Sequence, residues 1–333
     1  MATGTTEGDR SKPVWGAPAP APAPKKAPPA KRPPAARKPP AERKVPAERK
    51  APAARRAPAQ RTAPAPRRPS GGRRSRARRL RERYAVVHET DGPRVRLGLC
   101  WFVLAFGAIL AGSMFTAALF GCTAAVAAAQ MARCWRKRRA RPSDVMAAGG
   151  AALIAVGAMF GAGGAGLGIL ACVAVAFVAA AGDTESPNAR IADVGMTLQC
   201  ALPPGIVAMS MVLLTRLDQG SAIALLLLVS AYETGDFLIG AGSANPYEGP
   251  AAGAAAIVVI TFIVSTLPIS TLSFGEAWLF GGLVAILAPG GQWLASGLLP
   301  SATSPASALR RLDSLLITAP LWAWGVGIVI QAQ

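Results

Sequence analysis

The chain has 333 residues, 52% of them hydrophobic, and a formal net charge of +19. Those figures belong to different segments: Met1 to Arg96 carries 26 Lys and Arg against 7 Asp and Glu, while the remaining 237 residues hold 10 of each. A single soluble globular domain does not fit this division. A disulfide or structural-metal framework does not fit either, because Cys100, Cys122, Cys134, Cys172 and Cys200 show no CxxC spacing.

In chain order, the first element is a tail over 1–96 that holds 18 of the 29 prolines. PAERKV, PAERKA, PAARRA and PAQRTA follow one another between Pro40 and Ala63. Proline at this spacing breaks helices, like charges repel, and too little apolar surface is present to fold. A disordered Pro/Ala/Arg/Lys-rich segment of extended, polyproline-like character is expected. It does not read as a signal peptide, since no apolar stretch follows its early charges. Anionic lipid attracts juxtamembrane Lys and Arg at about 1 kcal/mol each. Nucleic acid is disfavoured as a partner, because only Trp15 and Tyr84 are there to stack on bases. The single histidine, His88, reads as a solvated residue.

The body over 97–333 predicts an all-α, polytopic integral membrane bundle. About 20 apolar residues are needed to cross the hydrocarbon core. Nine stretches qualify as candidate spans: 97–112, 114–132, 145–160, 163–181, 195–215, 220–241, 251–271, 277–298 and 313–331. Gly112–Ser113 predicts a tight hairpin between the first two. The distribution of basic residues sets orientation. The tail and the loop "RCWRKRRARPSD" (133–144) are expected in the cytoplasm, together with loops 182–194, 242–250 and 299–312. Past the tail, only Arg216 among basic residues falls on the other side, and the C-terminus joins it. The expected location is the cell membrane, multi-pass, with a cytoplasmic N-terminal tail. Gly- and Ala-rich stretches such as "GAGGAGLGILA" (161–171) predict close helix packing. "LPPG" (202–205) predicts a break or kink in the fifth span.

Few ionisable residues remain in the body, and such residues in or beside spans are functional candidates. Glu233 and Asp236 are spaced i,i+3 and share a helix face. Glu248 follows in "SANPYEGPAAG", and Arg310, Arg311 and Asp313 precede the last span. All six are expected at the cytoplasmic end. Carboxylates with arginines suit divalent metal and phosphate chemistry, with oxygen ligands for the metal and bidentate Arg for the phosphate. The plainer reading is that each caps a helix or faces interfacial water.

The stretch "YETGDFLIGAG…NPYEGPAAG", then "GGQWLAS", then "LRRLDSLLITAP", resembles the C-terminal half of the phosphatidate cytidylyltransferases (CDP-diacylglycerol synthases), between Ala231 and Trp324. That family carries an Asp-Thr-Gly-Ala-Tyr-like stretch, then Ser-Pro-Lys-Lys-Thr-Trp-Glu-Gly. Gly-Asp-Leu-x-Glu-Ser comes next, and His-Gly-Gly-x-x-Asp-Arg-x-Asp-Ser follows near the end. Glu233 falls on its first Asp, Phe237 on its Tyr, and Gly240 on a Gly. Glu248 and Gly249 match the Glu-Gly pair, and Gly253 a later Gly. Gly291 and Ser296 keep the ends of the third stretch, and Arg311, Asp313 and Ser314 close the last. Departures are equally plain. Gln292 replaces an Asp, Ala295 a Glu, and Arg310 the first Asp of the closing motif. Ala244 and Asn245 stand where lysines would, and the Lys-Arg, Lys-Asp and His-Gly-Gly elements are absent.

The resemblance implies transfer of a cytidylyl group from CTP to phosphatidic acid, with release of pyrophosphate and Mg²⁺ as cofactor. It assigns catalysis to Asp313, Arg311 and Glu248, substrate binding to Glu233, Asp236, Ser314 and Arg310, and metal binding to Asp313, Glu248 and Glu233. A homodimer is compatible with this reading. Two rival classes stand beside it. One is a catalytically degenerate protein that binds anionic lipid or scaffolds partners, and the other is a small transporter, suggested by the fifth span and the Gly-rich packing.

Overall fold

The computed structural model describes residues 94–136, 142–181, 187–241, 243, 245 and 247–333. The expected disorder of the tail concerns residues 1–93, with Trp15, Tyr84 and His88, and lies outside the described residues. So do 137–141 of the basic loop and Ala244.

Among the described residues the protein is all-helical, with no strand. Nine α-helices follow one another: α1 (Arg94–Leu110), α2 (Ser113–Arg136), α3 (Asp144–Ala158), α4 (Gly161–Ala181), α5 (Pro187–Leu217), α6 (Gln219–Gly240), α7 (Glu248–Thr266), α8 (Phe274–Leu298) and α9 (Leu315–Ala332). A 3-10 turn, Leu309–Arg311, precedes α9. Seven of the helices are long and apolar enough to cross a membrane, and α1 and α3 are shorter apolar helices. Each expected span corresponds to one helix, and the length criterion supports seven crossings.

Helix limits follow local chemistry more than hydropathy. Residues 187–194 add polar turns to the start of α5, ahead of the apolar run. At the far end of α7, Pro268 disfavours helical backbone at the preceding residue. Leu267 is accordingly extended (φ −98°, ψ 142°), and α7 stops at Thr266, short of the expected 271. α8 starts three residues before the expected 277 because Ser273 and Glu276 form a reciprocal capping box. α5 runs unbroken through Pro203 and Pro204, so of the expected break or kink the break is not present. Such prolines are tolerated where neighbouring groups and local adjustment re-satisfy freed backbone groups. The hairpin between α1 and α2 is present, and Gly112 (φ +104°) takes the left-handed conformation it needs.

Hydrogen bonds between loops sort them into two ends. At one end, the Gln219 side-chain amide donates to the carbonyls of Ile109 (2.6 Å) and Leu110 (3.0 Å). Arg216 donates to the Met159 carbonyl. Asp218 accepts from the Thr271 N–H and hydroxyl, both at 3.1 Å, and the Gln333 amide donates to the Thr271 carbonyl. At the other end, Gln130 accepts from Ala308 N–H (3.0 Å), and the Trp135 indole donates to the Leu298 carbonyl (2.9 Å). Cys134 donates to the Pro305 carbonyl there. Among the connections these bonds join, the α1–α2, α3–α4, α5–α6 and α7–α8 connections lie at one end, and the end of α2 and the 299–312 loop share the other. That end is called the basic end below, because it holds Arg133, Arg136, Arg310 and Arg311.

Packing is dense within α2–α5 and again within α6–α9, with α5 touching α6 and α9 and α1 touching α2 and α6. Close approach is clearest between α3 and α4, where a Cβ on Gly157 would strike the backbone of Gly164. Small residues serve this role in lipid, where packing replaces the hydrophobic drive between helices. The core includes Phe120, Met131, Ile154, Leu225, Tyr232 and Trp322, with Trp322 packed edge-to-face on Phe280 at 4.8 Å.

Candidate functional site

The charged cluster forms where the last turns of α6 meet the segment before α9. A run of apolar residues makes α6 helical, and its 3.6-residue period puts Tyr232, Glu233 and Asp236 on adjoining faces. Tyr232 and Asp236 are buried, and Glu233 is half-buried. Asp313, Ser314, Arg311 and Asp236 are the groups that act on Glu233. Glu233 and Asp236 of α6 thus lie within electrostatic reach of Asp313.

Close approach of α7 makes this meeting tight. A Cβ on Gly249 would collide with the Asp236 carboxylate, and one on Gly253 would reach within 2.6 Å of the Tyr232 ring. Gly291 on α8 lies equally close to the Asp313 backbone.

Each carboxylate already faces donors. Asp313 Oδ1 accepts the Ser314 N–H at 2.8 Å and its hydroxyl at 3.4 Å, and Oδ2 lies 3.8 Å from an Arg310 nitrogen. Arg310 also donates to the Ser296 hydroxyl (3.1 Å) and the Ala302 carbonyl (2.8 Å), so its guanidinium is held on three sides. Asp236 Oδ2 accepts from the Gln292 amide at 3.3 Å, and the Gln292 oxygen accepts from Tyr232 at 3.4 Å. Burial pushes the Asp313 carboxyl above the usual carboxylate range, with Arg310 and the Ser314 hydrogen bonds pulling against it.

Glu248 stands apart. It is exposed at the start of α7, and its carboxylate accepts the Ser243 hydroxyl at 2.6 Å. Arg311 is half-buried, with its guanidinium 3.4 Å from where a Cβ on Gly98 of α1 would sit. Among the described residues, no three His, Cys, Asp or Glu side chains gather as a group suited to hold a metal ion. Asp313 and Asp236 are engaged by donors, a fixed guanidinium occupies the place of a counter-cation, and Glu248 faces elsewhere. This donor set does not fit a resident Mg²⁺ ion.

Sequence reasoning passed over Tyr232 and the pairing role of Gln292. The i,i+4 spacing of Tyr232 and Asp236 carried a signal for the first, since a tyrosine hydroxyl buried among apolar residues needs a partner. No local signal ties Gln292 to Asp236, because the two meet only when α8 packs beside α6.

No protein-family model matches the chain, and no curated protein or solved structure matches it.

Proposed function

We propose that this chain is a polytopic membrane protein that resembles the phosphatidate cytidylyltransferases, has lost nucleotidyl transfer, and serves as an anionic-lipid-binding scaffold at the cell membrane. One observation carries the reading. Of the three positions where the resemblance expects an acid that this chain lacks, two hold Gln292 and Arg310: Gln292 donates to Asp236, and Arg310 pairs with Asp313 at 3.8 Å. Triphosphate chemistry needs concentrated positive charge from metal ions held by acids. Here the acids are spent inside the fold. All nine helices cross the membrane in this reading, with the basic end and the tail in the cytoplasm, and the tail's excess charge draws it to anionic headgroups.

A second reading keeps the enzyme: Arg311, Ser314, Glu233 and Asp313 form a site for CTP and phosphatidic acid. Its support is the convergence of these groups from two places in the chain. Purified full-length protein decides between them when supplied with CTP, phosphatidic acid and either Mg²⁺ or Mn²⁺. The scaffold reading expects no CDP-diacylglycerol and no metal-dependent CTP binding, together with salt-sensitive binding to phosphatidylglycerol vesicles. CDP-diacylglycerol formation that is lost in Asp313→Asn overturns it.

A further inference from the structure

The outer face of the last α8 turns carries a groove of about 460 Å³, lined by Trp293, Leu294, Gly297 and Leu298. Trp293 is 50% exposed and Leu294 42% exposed. Ser296, on the same turn, is buried and faces Arg310, so the groove and the charged cluster occupy opposite faces of one helix.

Chemistry beside the groove identifies its occupant. The Leu298 carbonyl accepts the Trp135 indole N–H, which brings the last turn of α2 against the last turn of α8. That α2 turn carries Arg133 and Arg136, both exposed at the basic end. Their side chains reach Asp144 at 3.6 and 2.8 Å, so one carboxylate serves two guanidiniums and a positive charge is left over. The slot and this net-positive helix end are linked through the Trp135–Leu298 hydrogen bond, and Trp135 and Trp293 are of the residue type that anchors at a membrane interface.

We infer that this corner is a binding site for one anionic phospholipid, with an acyl chain along Trp293, Leu294 and Gly297 and the phosphate at Arg133 and Arg136. The inference rests on the membrane-embedded part of the proposed function and is independent of the tail. Tail-bound lipid is held by exposed charge and is released at high salt, where the Debye length falls to about 3 Å at 1 M. A lipid seated in the groove keeps its buried chain contacts, and about one should remain per chain.

The test counts phosphatidylglycerol and phosphatidylcholine retained by the full chain in native mass spectrometry after a high-salt wash. Wild type is expected to retain phosphatidylglycerol preferentially. Replacing both arginines by Gln is expected to cut that retention by roughly 30-fold, the effect of removing two juxtamembrane charges. Gly297→Leu, which fills the groove, is expected to abolish it. Asp144→Asn frees both guanidiniums and is expected to strengthen retention, a gain that a misfolded variant does not produce. Equal retention in wild type and all three variants overturns the site, as does equal retention of the two lipids by wild type. Loss of only the salt-sensitive lipid on deletion of residues 1–67 bears on the tail and leaves the groove untouched.

Discussion

Arg310 and Asp313 stand 3.8 Å apart, three residues from one another, the first in a 3-10 turn and the second in the turn that joins it to α9. The guanidinium does not act on the carboxylate alone. Its other contacts, to Ser296 on α8 and to the Ala302 carbonyl, make it the pin that holds the 299–314 segment against the bundle.

Removing the pin should therefore cost stability. Arg310→Gln leaves a buried carboxylate short of its counter-charge, a change that costs 3–5 kcal/mol at fully buried pairs. Arg310 keeps 26% side-chain exposure, so a smaller loss of about 1–3 kcal/mol is expected after solvent screening. Arg310→Lys keeps the charge but loses the planar fork that spans Ser296 and Ala302, and should fall between Gln and wild type. Thermal unfolding in detergent ranks the three. Equal midpoints would reduce Arg310 to a membrane-edge charge.

The seam between α6 and α7 gives a second, sharper test. Gly249→Ala places a methyl group against the Asp236 carboxylate, and the overpacking should cost about 1–3 kcal/mol. Gly149 on α3 has open space around its missing Cβ. Gly149→Ala should be neutral or stabilising by up to ~1 kcal/mol, since alanine is the better helix former. Unfolding midpoints that move in the same direction for both would show that the seam is loose.

How the fold was legible in the sequence follows from what hydropathy measures. Apolar length located every helix among the described residues, because a backbone in lipid must satisfy itself internally. It misplaced helix starts wherever polar residues take part, as at Ser273–Glu276 and across 187–194, since these turns are helical without being apolar. Among the charges, spacing along α6 and proximity to α9 brought Glu233, Asp236 and Asp313 into one cluster. Glu248 was counted with them on its place in a motif, yet its side chain turns to Ser243 at the surface. The roles of Gln292 and Arg310 emerge only with tertiary packing: in sequence they read as lost acids, and in the fold they are the partners of the acids that stay.

At the end opposite the cluster, Asp218 caps α6 through Gly220 and Ser221 and also binds Thr271. Burial alone would raise its carboxyl, but the hydrogen bonds from Ser221 and Thr271 outweigh that and hold it below the usual range. A carboxyl lowered in the folded state contributes stability that is present above its unfolded value and lost as pH falls through the folded one. Wild type should therefore lose stability below about pH 4, near the ordinary aspartate value. Asp218→Asn should begin about 1–2 kcal/mol less stable, as for a lost helix cap, and show a flatter acid limb. Identical acid limbs in the two proteins would remove Asp218 from the cause.

The alternation of loop contacts carries the topology prediction. Gln333 bonds to Thr271, which also binds Asp218, whereas the far end of α2 bonds to the 298–308 stretch. The C-terminus and the 133–144 loop therefore lie at opposite ends of the bundle, whichever end faces the cytoplasm. In the proposed orientation, the six basic residues between Arg133 and Arg141 put the end that holds this loop inside. A reporter active only in the cytoplasm should thus be active when inserted in the 133–144 loop and silent when fused after Gln333. The short helices α1 and α3 supply the risk in this prediction, because at about 1.5 Å per residue their 17 and 15 residues fall short of the ~30 Å hydrocarbon core. In the nine-span reading each crosses by local thinning of the bilayer or by burial among longer neighbours. Cytoplasmic signal from both fusion sites would show that α3, which lies between them, stays within a single leaflet, and the crossing count would then be even.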